Sequence, residues 1–164
     1  MNGGCVPEKR LNPAAGKSYK RNITIQAREF VVFIMIMIIT PDEVFRSAMV
    51  LHFREKDYAL SIPEHRQEVT SLVEKHAPEV IVLDISIADP NGPTVLKDLR
   101  ATGYGGKIIV ISGPSNRPLM VNMHLQKIDQ VIRKTPSDSL GPFIDQLESL
   151  IRVMLREETA QKSL

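Results

Sequence analysis

"EVIVLDISIADPNGPTVLKDLR", residues 79–100, carries an apolar run straight into Asp84 and then turns into a loop of Ala, Asp, Pro, Asn and Gly. An apolar run of this length with no polar alternation is the signature of a strand covered on both faces. A helix fits residues 93–102 after "NGP", with Pro93 in a first turn where its missing N–H costs nothing. Strand, loop and helix in that order form half of a parallel crossover unit, and they leave a carboxylate at the carboxyl end of the strand.

The rest of the chain repeats this unit. Further β-rich runs fall at 31–39, about 58–62, 107–112 and 130–133. Val44, Ala48 and Leu51 with Phe45 and Met49 form one apolar stripe; Val69, Leu72, Val73 and His76 form a second; Leu140, Phe143, Ile144, Leu147, Ile151 and Met154 form a third. A helix at about 117–126 fits after "SNRP". Strand and helix alternate five times, which calls for an α/β fold, a doubly wound parallel sheet with helices on both faces. Ligands in such folds gather at the carboxyl ends of the strands.

Composition bounds the reading. A chain of 164 residues with 43% hydrophobic and 24% charged residues suits one ordinary globular domain. The net charge of +2 is uneven: residues 1–28 hold Lys9, Arg10, Lys17, Lys20, Arg21 and Arg28 against Glu8 alone. We read 1–28 as a disordered basic extension, 29–157 as the folded domain and 158–164 as a short tail. The six charges make no dense patch, so a solubilising role suits them better than nucleic acid. Cys5 is the only cysteine, which fits a reducing cytoplasm. The run Phe30–Ile39 is ten residues long and bracketed by Glu29 and "TPDE", too short for a membrane span of about 20 apolar residues.

Four strand ends carry polar groups. The first runs into Thr40, Pro41, Asp42 and Glu43, the third ends at Asp84, the fourth at Ser112 and the fifth at Lys134. The set suits phosphoryl transfer to a carboxylate: Asp84 attacks, Ser112 hydrogen-bonds a phosphoryl oxygen and Lys134 neutralises charge. Mg²⁺, which takes carboxylates, a backbone carbonyl and waters, needs acids beside Asp84.

Over about residues 30–157 these features resemble the receiver domains of two-component response regulators. Gly92, eight residues after Asp84 in "VLDISIADPNG", matches the family pattern, and Ser112 and Lys134 lie at suitable distances. The resemblance implies a flavodoxin-like sheet of order 2-1-3-4-5 and Asp84 as phosphoacceptor for a histidine kinase or phosphotransfer protein. It also implies Mg²⁺ bound by Asp84, the backbone carbonyl of Ser86 and an acidic pair. Signalling would pass to a downstream protein or a second copy through the fourth helix, the fifth strand and the fifth helix. The chain would itself be no enzyme beyond its own phosphorylation and dephosphorylation.

The departures are specific. The acidic pair is replaced by Thr40 and Pro41, the usual Pro after the acceptor by Ala88, and the switch aromatic by Val131, while Thr135 separates Lys134 from Pro136. Asp42 or Glu43 remain as candidate metal ligands. An equally local reading makes Thr40 a helix N-cap, Pro41 the first helical residue and Glu43 the partner in a capping box. Two further readings stand beside the phosphorylated switch. One is a degenerate receiver working as a phosphorylation-independent interaction module. The other is a hydrolase of the haloacid dehalogenase type, which lacks its second Asp because residue 86 is Ser. His65 and His76, eleven residues apart, cannot share a metal.

Overall fold

The computed structural model describes residues 33–85, 92–114 and 127–162. The basic segment 1–28, Ser86 and the helix expected at 117–126 lie outside them. The apolar runs form five parallel strands: β1 (Met35–Ile39), β2 (Ala59–Ser61), β3 (Val80–Asp84), β4 (Lys107–Ser112) and β5 (Gln130–Arg133). They lie in the order β2-β1-β3-β4-β5, so the chain reverses direction across the sheet between β1 and β3. The described helices are α1 (Glu43–Glu55), α2 (Val69–His76), α3 (Gly92–Ala101) and α4 (Leu140–Lys162), with a 3₁₀ turn at Arg66–Glu68. The last helix continues past the expected boundary at residue 157.

The unbroken apolar strands have a physical cause. Alternate residues of one strand serve two different cores, so no face is left for water. Ile36, Ile38, Val80, Val82, Ile109 and Ile111 pack against Phe45, Met49 and Phe53 of α1 and Phe143, Ile144, Leu147 and Ile151 of α4. On the other face Met37, Ile81, Leu83, Ile108 and Val110 meet Val69 and Val73 of α2 and Val95, Leu96 and Leu99 of α3.

The α1 stripe differs from the sequence reading. Val44 and Leu51 are 70% and 63% exposed, whereas Phe45, Met49 and Phe53, spaced four residues apart, are fully buried. Both stripes have helical spacing, and the helix turns its aromatic rings inward because they remove more apolar area from water. Phe45 meets Phe143 edge to face, with centroids 5.7 Å apart.

One charged group sits inside the α1–α4 seam. The Glu148 side chain is 5% exposed and bonds His52 Nε2 at 2.8 Å, Lys56 Nζ at 2.9 Å and Arg152 Nη2 at 2.6 Å. Burial by itself raises a carboxyl pKa, but hydrogen bonds from Lys56, His52 and Arg152 override it and hold Glu148 at about 2. His52, Asp145 and Glu148 also lie close enough to share a cation, a grouping hidden by their separation in sequence. The Lys56 and Arg152 cations already supply that charge, so the cluster is an ion-pair brace between helices.

Because the folded-state pKa is depressed, the Glu148 contribution is present above the ordinary value of 4.5 and is lost as pH falls toward 2. Glu148→Gln should lower unfolding free energy by about 2 kcal/mol in urea titrations at neutral pH, with the deficit shrinking at pH 3. An undiminished deficit at low pH would show that the charge is not what braces the helices.

Candidate functional site

Parallel pairing brings the polar strand ends to one edge. Ile39, the last residue of β1, pairs with Leu83, so Thr40 just past the strand comes beside Asp84. Thr40 Oγ1 donates to Asp84 Oδ2 at 2.7 Å, and the two residues are 7% and 5% exposed. Asp84 in turn pairs with Ile111, and Ser112, the buried last residue of β4, pairs with Arg133. The Lys134 amide donates to the Ser112 carbonyl at 2.9 Å, which fixes the chain as it leaves β5.

Lys134 is anchored on the α1 side of the edge. Its Nζ lies 3.2 Å from Asp42 Oδ2 and 4.0 Å from the centroid of the Phe45 ring. The Asp42 Oδ1 atom accepts from the Phe45 amide at 3.0 Å, closing the first turn of α1. That backbone bond, followed by the Lys134 ammonium, outweighs partial burial and holds the Asp42 carboxyl below its ordinary value.

The helix cap is therefore Asp42, and the box expected of Thr40 and Glu43 is not formed. The reason lies in the neighbouring strand. Asp84 is a buried carboxylate that needs a donor, and the Thr40 hydroxyl supplies it, leaving the cap to the next side chain able to accept. Thr40 Oγ1 still accepts the Asp42 amide at 3.2 Å. Glu43 points outward, 84% exposed, with Arg46 at 3.8 Å.

A hollow of about 300 Å³ opens beside Asp84 between the first turn of α1 and residues 63–66. A larger cavity of about 680 Å³, bordered by Arg100, Tyr104 and Asp129, lies at the amino ends of the strands, away from Asp84.

The description "Response regulator receiver domain" matches residues 36–140. The chain belongs to the receiver domain family of response regulators. Solved receivers share its fold. A signal receiver domain from Vibrio parahaemolyticus is 15% identical with a TM-score of 0.65, covering 80% of this chain and 96% of its own. A CheY-like response regulator receiver domain protein from Methanospirillum hungatei is 16% identical with a TM-score of 0.61, covering 76% of this chain and 98% of its own. A response regulator signal receiver domain from Bermanella marisrubri is 18% identical with a TM-score of 0.59, covering 73% and 98%. No curated protein matches the sequence. No helix among the described residues is long and apolar enough to cross a membrane.

Receiver domains are signalling modules that typically bind Mg²⁺ in an acidic pocket. The donors around Asp84 do not fit that ion well. Thr40 presents a proton to the Asp84 carboxylate, Pro41 offers no side-chain donor, and both Asp42 oxygens are taken by Phe45 and Lys134. The Asp42, Glu43 and Asp84 carboxylates do not all gather within 4.8 Å of one another. Of the residues singled out in the sequence, Thr40 with Asp84 and Asp42 with Lys134 are direct pairs. Ser112 joins them through the backbone.

Asn caps a helix as well as Asp does but cannot form the ion pair. Asp42→Asn should therefore cost less than about 1 kcal/mol and Asp42→Ala about 1 to 2 kcal/mol in urea unfolding. Equal losses for the two would assign the stability to the Lys134 pair instead of the cap.

Proposed function

We propose that Asp84 accepts a phosphoryl group from a histidine kinase or phosphotransfer protein and that the chain then signals through protein–protein contact. The observation that carries this reading is the Asp84 carboxylate at the carboxyl end of β3, bordering an open hollow with Lys134 anchored at the same edge. A carboxylate oxygen is a competent nucleophile toward phosphorus when positive and donor groups surround the transferred oxygens. Thr40 holds the carboxylate through Oδ2, which fixes its orientation at the strand end. Lys134 supplies a cation whose present partner, Asp42, must share it with any new dianion. Ser112 ends the adjacent strand β4, and its hydroxyl would take the role the family assigns to it.

Charge arriving at Asp84 would bias the strand ends it competes with, and β5 and α4 lead from there to a surface for a downstream protein or a second copy. The part of that surface expected at 117–126 lies outside the described residues. Catalysis goes no further than the chain's own phosphorylation and dephosphorylation.

The test is incubation with acetyl phosphate, or with a phosphorylated histidine phosphotransfer protein, followed by intact-mass measurement. One phosphoryl group should add to the native chain and none to Asp84→Asn. A chain that never gains mass, yet captures the same protein partner with or without the donor, would instead be a phosphorylation-independent module.

A further inference from the structure

The hollow beside Asp84 is bordered by two guanidinium groups, and the positions expected of an acidic pair are Thr40 and Pro41. Arg46 of α1 and the exposed Arg66 of the 3₁₀ turn border it with Thr40 and Asp84, and the exposed Glu43, Glu64 and His65 line it beside them. Arg46 lies 3.8 Å from Glu43, and Arg66 donates to Asp98 at 3.0 Å. The Arg66–Asp98 pair is solvent-exposed and the Arg46–Glu43 pair partly so, and pairs of this kind are weak enough to exchange for a stronger anion. A planar guanidinium matches phosphoryl oxygens with two parallel hydrogen bonds, whereas it repels a divalent cation. The Thr40 hydroxyl adds to the mismatch, since it directs a proton, not a lone pair, at Asp84 Oδ2.

We infer that this hollow is an oxyanion site: Arg46 and Arg66 neutralise the phosphoryl group, and the site works without a divalent cation. The inference rests on the reading of Asp84 as phosphoacceptor. With acetyl phosphate as donor, a carboxylate oxygen of Asp84 bonds to phosphorus while the bond from phosphorus to the acetyl oxygen breaks. The bonding pair leaves with acetate, no proton moves, and the product is an aspartyl phosphate whose terminal oxygens take the two guanidiniums. Arg66 closes the hollow from the segment between β2 and α2, so occupancy would tie that segment to the β3 end.

Two titrations of the ¹⁵N-labelled full chain, followed by amide shifts at Thr40, Arg66 and Ile85, test this. Inorganic phosphate in EDTA should saturate these shifts, and Arg46→Gln or Arg66→Gln should each weaken its binding about tenfold. Millimolar Mg²⁺ should leave the native chain unmoved but bind saturably to the double variant Thr40→Asp, Pro41→Asp, which rebuilds an acidic pair. Mg²⁺ saturation of the native chain overturns the inference, as does phosphate binding that is absent or indifferent to both arginines. Acetyl phosphate separates the two proposals. Labelling of Asp84 that proceeds in EDTA supports both. Labelling that requires Mg²⁺ overturns the metal-free site and leaves the phosphoacceptor. Saturable phosphate binding without any labelling supports the anion site and removes Asp84 from the transfer.

Discussion

A single buried hydrogen bond, from the Thr40 hydroxyl to the Asp84 carboxylate, ties the fold to the site. A carboxylate this enclosed is costly unless it meets a donor, and here the donor is delivered by strand pairing. The register that puts Ile39 beside Leu83 puts Thr40 beside Asp84. A slip of one residue would turn Thr40 to the other face and leave the carboxylate without it. Register, core alternation and site are thus one constraint, since the same slip would also exchange the residues of the two cores.

Helix α1 is held at both ends by charge, and this frames the site. At its start Asp42 closes the first turn and reaches Lys134 beyond β5, while Phe45 beneath offers its ring to the same ammonium. Toward its end His52 and Lys56 grip Glu148 of α4. The intervening turns are fixed by Phe45, Met49 and Phe53 in the core. Helix α1 is therefore a rigid wall of the hollow, and the weaker exposed pairs of Arg46 and Arg66 are the parts able to respond to a bound anion.

The sequence made the sheet legible because its period is simple. Residues 79–84 and 107–112 read as covered strands and 130–133 as a β-rich run, and they correspond to β3, β4 and β5 with at most one residue of difference. The strand-end residues Asp84, Ser112 and Lys134 were readable for the same reason. What stayed hidden depended on competition between side chains far apart in the chain. Thr40 resembles a good cap until Asp84, 44 residues away, claims its hydroxyl. Val44 and Phe45 both fit an apolar stripe, and only the opposing surface of α4 decides which turns inward. His52 and Glu148, 96 residues apart, carry no local signal of their pairing.

The most direct measurement is a crystal structure of the full chain soaked with beryllofluoride, a mimic of the acyl phosphate, in the absence of divalent metal. The account predicts beryllium on a carboxylate oxygen of Asp84, the Thr40 hydroxyl still within hydrogen-bonding distance, and guanidinium groups of Arg46 or Arg66 on the fluorines. An adduct at another residue, or an Asp84 carboxylate that remains closed to it, would contradict the account.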